Sequence, residues 1–408
     1  MGSINIRDPL YGFISLDEIE SEILDTYPFQ RLRFIHQLGT TPFVYPAGCH
    51  TRFEHSLGVL KLSARLIKCL KEQELPIEKI DEKVFRLSAM LHDIGHPPFS
   101  HVSEDMMLLA PGLDHEEMTI RIIEESEIGE IIREKLNKEA IARIKFISTG
   151  RGKPVSELDS IFTTLLTGEA GIDRMDYLLR DSYYLGVAYG KFDLERLFET
   201  ILYNSQVNPP IIWEEGGQHA LEQFILARYF MFIEVYFHKT RRILDYHLYQ
   251  IIKECLKETI KSEFYPKNVN EYIKWNDMGV FDWMLKNQNN KYVKRIIKRK
   301  FFRKLEKESK EHPNSEEIIL WDQLEPELRG KFSANDYYLD KAEKSPFKFE
   351  KSDISILVKD KPIQLPRKST LVASLKAIKK RRIYVEEGKK RKEIEKFVEN
   401  FFKQKRGG

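Results

Sequence analysis

From Phe53 to Cys69 the chain is apolar on two opposite helical faces. Phe53, Leu57, Leu60, Ala64 and Ile67 form one stripe, and Val59, Leu62, Leu66 and Cys69 the other. A helix apolar on two sides is buried on two sides, so this segment must run through the middle of a helical core. Its N-terminal turn nevertheless carries Arg52, Glu54 and His55. Polar groups in such surroundings are costly unless paired or bound to metal.

The neighbouring segments continue the pattern. Val84, Leu87, Met90, Leu91 and Ile94 mark a second apolar helix, which Gly95-His96-Pro97-Pro98 should stop. Leu221 to Tyr249 contains neither Gly nor Pro and reads as one long helix. No βαβ alternation and no repeat of roughly 20–50 residues stands out. The expected class is mainly α. After about Lys253 the composition changes. Lys286 to Lys310 is rich in Lys, Arg and Asn, and Ile354–Val358 and Arg382–Val385 are short β-like runs. Lys376 to Arg406 carries 13 Lys/Arg against 5 Asp/Glu, so it is +8 while the rest of the chain is −5. The expected organisation is a helical core over 1–253 and a smaller α+β lobe over 254–408 that ends in a basic helix.

Several classes are excluded. With 42% hydrophobic residues and a net charge of +3 over 408 residues, the chain is not an extended polyelectrolyte. No run approaches the roughly 18 apolar residues of a spanning helix, and the first residues lack a basic and apolar leader. Three scattered cysteines, Cys49, Cys69 and Cys255, build neither a disulfide framework nor a metal knuckle. The expectation is a cytoplasmic protein without a membrane partner.

The chemistry concentrates in four places. Leu91-His92-Asp93-Ile94-Gly95-His96-Pro97-Pro98-Phe99-Ser100-His101 holds three His and an Asp beside a helix end. Imidazole and carboxylate are ligands for Zn, Fe, Mn or Ni; the bland alternative is a set of core histidines bonded to carbonyls. Cys49-His50-Thr51-Arg52-Phe53-Glu54-His55-Ser56 is the second. In the third, Asp173, Tyr177, Arg180, Asp181 and Tyr184 share one helical face. A polar cleft explains the stacked tyrosines better than solvent does. In the fourth, Arg228, Phe232, Tyr236 and Lys239 follow helical spacing, and cations beside metal ligands suit an anionic substrate such as a phosphate ester.

These segments resemble a known family. His55, His92-Asp93 and Asp173 look like the H…HD…D signature of HD-domain phosphohydrolases. Phe29-Gln30-Arg31-Leu32-Arg33, Gln37-Leu38-Gly39, Arg52-Phe53-Glu54-His55-Ser56-Leu57-Gly58-Val59 and His92 through His101 resemble, in order, the deoxynucleoside triphosphate triphosphohydrolases. These include the vertebrate SAM-and-HD-domain enzyme and its bacterial dGTP-activated relatives. The resemblance runs from about Asp8 to Tyr249, and a chain without the SAM-like domain is expected.

The resemblance implies a reaction in which water attacks the α-phosphorus of a dNTP and releases a deoxynucleoside and triphosphate. It implies that His55, His92, Asp93 and Asp173 hold one transition-metal ion (Zn, Fe, Mn or Ni), with Mg joining through the substrate phosphates. Spacing alone leaves Asp173 and Asp176 equivalent. His101 and His115 match the family's catalytic histidines and His96 a further phosphate-side histidine. Glu104, three residues after His101, replaces an Asp. Arg52, Arg174, Tyr177, Arg228 and Tyr236 match residues around phosphates and sugar, with Arg174 in place of Lys. Gln37 and Asp181 match the pair that reads the sugar 3′-hydroxyl. Tyr183 and Tyr184 replace two histidines. Asp25, Gln30 and Arg33 match the guanine-reading positions of an allosteric site between subunits, which implies GTP or dGTP as activator and a homo-oligomer, dimer or tetramer. Two other readings compete. One is another HD phosphohydrolase, a nucleotidase or phosphodiesterase. The other is a nucleic-acid-binding HD protein using Lys379-Lys380-Arg381-Arg382 and Lys389-Lys390-Arg391-Lys392, less favoured because Glu is interspersed.

Overall fold

The computed structural model describes residues 4–208, 210–345 and 354–406. The first three residues, on which part of the leader expectation rests, lie outside them. Helices dominate and the sheets are small, so the mainly α expectation holds. No helix among the described residues is long and apolar enough to cross a membrane.

Helix α1 (Arg52–Lys71) begins at Thr51, where Glu54 reaches back to the Thr51 N–H and closes a capping box. Both of its apolar stripes are covered: Phe53, Leu57, Leu60, Val59, Leu62 and Leu66 are all buried. Helix α2 (Lys79–Leu91) packs along α1 and stops just before His92. Helix α3 (Ile172–Leu185) crosses α1 at Gly58. A Cβ at Gly58 would collide with the Asp176 carboxylate and the Arg180 guanidinium. The glycine therefore lets two helices approach closely enough for α3 side chains to reach His55.

The stretch expected as one helix, Leu221 to Tyr249, is three pieces: α4 (Gln218–Met231), a π turn (Phe232–Tyr236) and α5 (Lys239–Ile260). Tertiary bonds explain the break. Arg241 donates to the Tyr236 carbonyl, Arg382 to the Phe237 carbonyl and the Tyr384 hydroxyl to the Lys239 carbonyl. Carbonyls freed from the helical ladder thus find donors outside it. The two basic residues expected on one face, Arg228 and Lys239, accordingly belong to different helices.

The expected boundary at residue 253 falls inside α5. Beyond it, Val269, Tyr272, Val280, Met284, Val293, Ile296 and Phe302 join the same large core as α1 and α2. Helix α6 (Asp277–Lys286) is part of that layer. A separate apolar cluster contains Leu305, Trp321, Leu324, Leu328, Ile383, Val385, Ile394, Val398 and Phe402. We propose that the second lobe begins near Arg303, where the chain enters that cluster; Ile354, Ile356, Leu365 and Val372 later return to the large core. Its sheet orders β5 (Arg303–Glu308), β9 (Ile378–Val385) and β6 (Tyr337–Lys344), all antiparallel. The other sheets are a hairpin of β1 (Ile4–Asp8) and β2 (Gly12–Leu16), and the order β3 (Ile201–Tyr203), β4 (Ile211–Glu214), β7 (Ser355–Val358), β8 (Lys361–Gln364). Helix α7 (Lys389–Arg406) is the expected basic helix; Ile394, Val398 and Phe402 seat it on the small core. The run Lys379 to Arg382 is largely spent inside the fold. Lys379 and Arg381 pair with Glu343, Lys380 with Glu311, and Arg382 with Glu308.

Candidate metal centre

Three helix ends meet at one point. The first turn of α1 supplies His55, the residues after α2 supply His92 and Asp93, and the first turn of α3 supplies Asp173. His55 Nε2 lies 3.2 Å from Asp173 Oδ1 and 3.4 Å from Asp93 Oδ2. His92 Nε2 lies 3.5 Å from Asp93 Oδ1 and 3.6 Å from Asp173 Oδ1. His55, His92 and Asp93 are buried and their ligand atoms lie within 4.8 Å of one another.

The outer ring nitrogens fix how these imidazoles point. His55 Nδ1 lies 2.7 Å from Asp176 Oδ2, and His92 Nδ1 lies 2.9 Å from the Ala89 carbonyl oxygen. Both Nε2 atoms are buried and have no hydrogen-bond partner among the described residues. A buried ring nitrogen without a hydrogen-bond partner is unfavourable, and two of them aimed at two carboxylates fit a cation. The donor set, two imidazoles and two carboxylates, suits a first-row transition metal. Burial alone would lower the His55 pKa, but the adjacent carboxylates of Asp173, Asp176 and Asp93 outweigh it and push it up to about 10. An arriving cation would displace that proton.

Asp176 is the residue that spacing could not separate from Asp173. It sits behind His55 and bonds Arg180 through Nε and Nη2, both at 2.9 Å. Arg180 also donates to Asp8 at 2.8 Å. Arg180 is fully buried in this network, which removes it from the polar face expected to line a cleft. Asp8 lies 172 positions away from Arg180 in the chain, and no local pattern signals the pairing. Asp176→Asn should weaken metal binding by roughly 10–100-fold, the usual effect of removing a carboxylate behind a ligating histidine. Chelator competition measures this, and an unchanged affinity would refute the role.

On one side of the point stand the remaining histidines. The Arg52 guanidinium pairs with Asp93, and its Nε donates to Ser100 Oγ at 2.7 Å. Asp93 is buried, which raises a carboxyl pKa, but Arg52, His92 and His96 hold it well below the usual range. His96 Nε2 lies 3.3 Å from Asp93 Oδ1, and its ring stacks on His115 at 4.1 Å. Burial, Arg52 and His115 together keep His96 neutral. Glu104 bonds the ring and the backbone N–H of His115 and lies 3.6 Å from His101 Nδ1. The residue expected to serve His101 thus serves His115 more closely. Burial opposes a proton on His115, but Glu104 raises its pKa above the ordinary value. His101 has a side chain 55% exposed, so it is open to an incoming molecule.

Along α3 the other expected residues follow. Asp181 accepts from the Tyr236 hydroxyl at 2.6 Å, and its other oxygen lies 2.7 Å from His50 Nε2. The Gln37 N–H donates to the His50 carbonyl, and Gln37 Oε1 is buried without a partner. Gln37 and Asp181 are therefore joined through His50, which the sequence singled out only as part of a motif. The His50 ring stacks on Tyr184 at 4.7 Å. Arg174 donates to the Thr167 and Gly168 carbonyls, and Arg228 pairs with Glu169 at 2.8 Å. Tyr177 is half-buried, and burial raises its pKa. Away from this centre, Gln30 accepts from Arg33 Nε at 2.7 Å, Arg33 covers the Phe53 ring, and exposed Asp25 follows the helix Glu18–Leu24.

A histidine, a His-Asp pair and a distant Asp converge at three helix ends, and His55, His92 and Asp93 among them could hold a metal ion. The model of the HD domain matches residues 52–170, and that of the HD associated region matches residues 192–406. The chain belongs to this HD-domain family. It is 34% identical over 303 residues to an uncharacterized protein of Methanocaldococcus jannaschii, covering 74% of this chain and 59% of that one. It is 30% identical to a deoxynucleoside triphosphate triphosphohydrolase SAMHD1 homolog of Dictyostelium discoideum, covering 67% of this chain and 53% of that one. The chain thus spans little more than half the length of these relatives. The crystal structure of a hypothetical protein from Aquifex aeolicus superposes with a TM-score of 0.80 at 37% identity, covering 94% of this chain and 97% of that one.

Proposed function

We propose that the protein hydrolyses deoxynucleoside triphosphates to a deoxynucleoside and triphosphate. One observation carries the reading. Helix α3 presents Asp173 to the metal point and, eight residues on, Asp181 to Tyr236 and His50. That is about 12 Å along a helix, room for one phosphate and a sugar between a metal ligand and a hydroxyl-reading carboxylate. The resemblance of the flanking motifs to dNTP triphosphohydrolases, and the similarity to the Dictyostelium protein, support it.

The residues have separable tasks. A transition-metal ion held by His55, His92, Asp93 and Asp173 would lower the pKa of water toward about 7. Arg52, Arg174 and Arg228 hold phosphate oxygens and favour charge developing on them. Gln37 and Asp181 bind the sugar 3′-hydroxyl, with Tyr236 fixing one Asp181 oxygen. His101, exposed to the substrate and faced by Glu104, delivers a proton to the leaving 5′-oxygen, with His115 as the second candidate. The cofactor set would also include Mg, held mainly through the substrate phosphates and not by protein ligands.

The test is incubation of metal-loaded protein with each dNTP, with and without GTP or dGTP, followed by product identification. Inorganic triphosphate is expected. Release of monophosphate or pyrophosphate instead would assign the site to a different HD phosphohydrolase.

Regulation is part of the proposal. Asp25, Gln30 and Arg33 can offer an acceptor and donors to a guanine edge, and a nucleotide bound between subunits stabilises the assembled state by mass action. GTP or dGTP should raise activity on other dNTPs and shift the protein toward a tetramer in sedimentation. Asp25→Ala should abolish that response and spare the metal. Full basal activity with no response to either nucleotide, in protein that binds neither at a second site, would sink the idea.

A further inference from the structure

We propose that Asp277, far from the metal point in sequence, is a positioning residue for Arg52 and His101. The inference rests on the reading of the site given above. Asp277 is fully buried at the start of α6. Its Oδ2 accepts the His36 N–H at 2.9 Å and lies 2.6 Å from His36 Nδ1. Its Oδ1 accepts the Phe99 N–H at 2.7 Å. One carboxylate therefore ties the segment before α1 to the loop that follows the His-Asp pair.

What it ties down is a strained turn. Phe99 and Ser100 have φ of 55° and 50°, a region that L side chains rarely adopt and that persists only where the surroundings impose it. Ser100 Oγ donates to the His36 carbonyl at 3.2 Å and accepts from Arg52 Nε at 2.7 Å. His101 opens the next helix immediately after this turn. The route from Asp277 to Arg52 thus runs through two hydrogen-bonded steps. The same stretch of chain supports the loop elsewhere. The Tyr272 hydroxyl donates to the Gly95 carbonyl at 2.7 Å, and Arg31 links the Trp275 and His96 carbonyls at 2.8 and 2.9 Å. Phe281 of α6 packs edge-on against Phe99 at 5.2 Å.

The chemistry selects a carboxylate. The His36 N–H, the Phe99 N–H and, in the tautomer this geometry favours, the His36 Nδ1–H are all donors, so their common partner must be acceptor-only. Burial would lower the His36 pKa, but the Asp277 hydrogen bond and charge raise it. An amide in place of the acid must turn an NH₂ group toward one of these donors.

The experiment uses the full metal-loaded chain as wild type, Asp277→Asn, Ser100→Ala and the double variant. Asp277→Asn should keep its metal content and bind substrate with little change in KM while kcat falls roughly 10-fold or more, as expected when a reacting geometry is displaced. The double variant should be little worse than the worse single variant, because both act through one connection. Independently of activity, ¹⁵N-arginine labelling should show the Arg52 Nε–H resonance, assigned by its loss in Arg52→Lys, shifted and exchanging faster in Asp277→Asn. A wild type that hydrolyses no dNTP would reject the proposed function, while the Arg52 resonance would still decide the role of Asp277. If Asp277→Asn does not fold, the same resonance is read in Asp277→Glu, which keeps the charge but moves its oxygens. An unchanged Arg52 resonance in the folded variant, or kcat losses that multiply in the double variant, would overturn the proposal.

Discussion

His92→Ala and Asp93→Asn should each lose the transition metal and nearly all hydrolysis, while wild type holds about one ion per chain. Each substitution removes a ligand or its charge from the proposed group of four, and His92 Nε2 has no hydrogen-bond partner among the described residues. An ion held by these residues would supply several kcal/mol of transition-state stabilisation, so its loss should cost about 10³-fold or more in turnover. Of the two, Asp93→Asn is the harsher, because the buried Arg52 guanidinium loses its counter-charge. The binding should also depend on pH. His55 carries a proton up to about 10 in the absence of an ion. Metal must displace that proton, so apparent affinity should rise with pH across the neutral range. The same shift has a sign for stability. Protonated His55 stabilises the ion-free fold fully below its unfolded value of about 6.5, and that contribution is lost as pH rises through about 10. Elemental analysis decides the matter: variants that hold as much metal as wild type would reject the ligand assignment.

His101→Ala should leave the metal in place and reduce turnover by roughly 10²-fold or more, the usual size of general-acid catalysis. In the proposed reaction the 5′-oxygen is a poor leaving group without a proton, and the exposed His101 imidazole beside Glu104 could give one. Glu104 itself stays ionised. Burial would raise its pKa, but the hydrogen bonds from His101 and His115 hold it well below the usual carboxylate range. His115→Ala provides the contrast, since Glu104 grips that ring more closely and favours its protonated form. Single-turnover rates in the two variants separate the roles. An unchanged rate in His101→Ala combined with a large loss in His115→Ala would move the proton transfer to His115.

What was legible in the sequence follows from the range of the interactions involved. Helices α1 and α2 could be read from their apolar periodicity, because burial on two sides leaves a local trace. His92 and Asp93 could be read as a cluster, because they are adjacent. Asp176 could not be told from Asp173 by spacing, since the two lie about one turn apart near the start of α3. What separates them is where α1 lies, and that depends on the close approach at Gly58. Asp8 and Asp277 left no trace at all. Each acts on residues more than 170 positions away, Asp8 on Arg180 and Asp277 on Phe99. The break at Phe232–Tyr236 was invisible for the same reason. No Gly or Pro marks it, and the donors that hold it open, Arg382 and Tyr384, arrive from β9. The change in composition near Lys253 reflects a more basic surface, whereas the apolar residues beneath it continue the main core past Phe302.

That π turn also sets the phase between two long helices. A π turn holds one residue more than the α-helix would at the same place, so α5 is indexed to α4 through a surplus residue. Removing a single residue between Phe232 and Tyr236 would take out that surplus, while the extended backbone at His238 would still separate the turn from α5. Everything beyond would then rotate by about 100°, the angle between successive residues, and the tyrosine hydroxyl would swing away from Asp181. The segment is accordingly more tolerant of a changed side chain than of a changed length. Insertions and deletions there are expected to be far rarer among natural variants than point substitutions, although nothing in its amino-acid types would announce it.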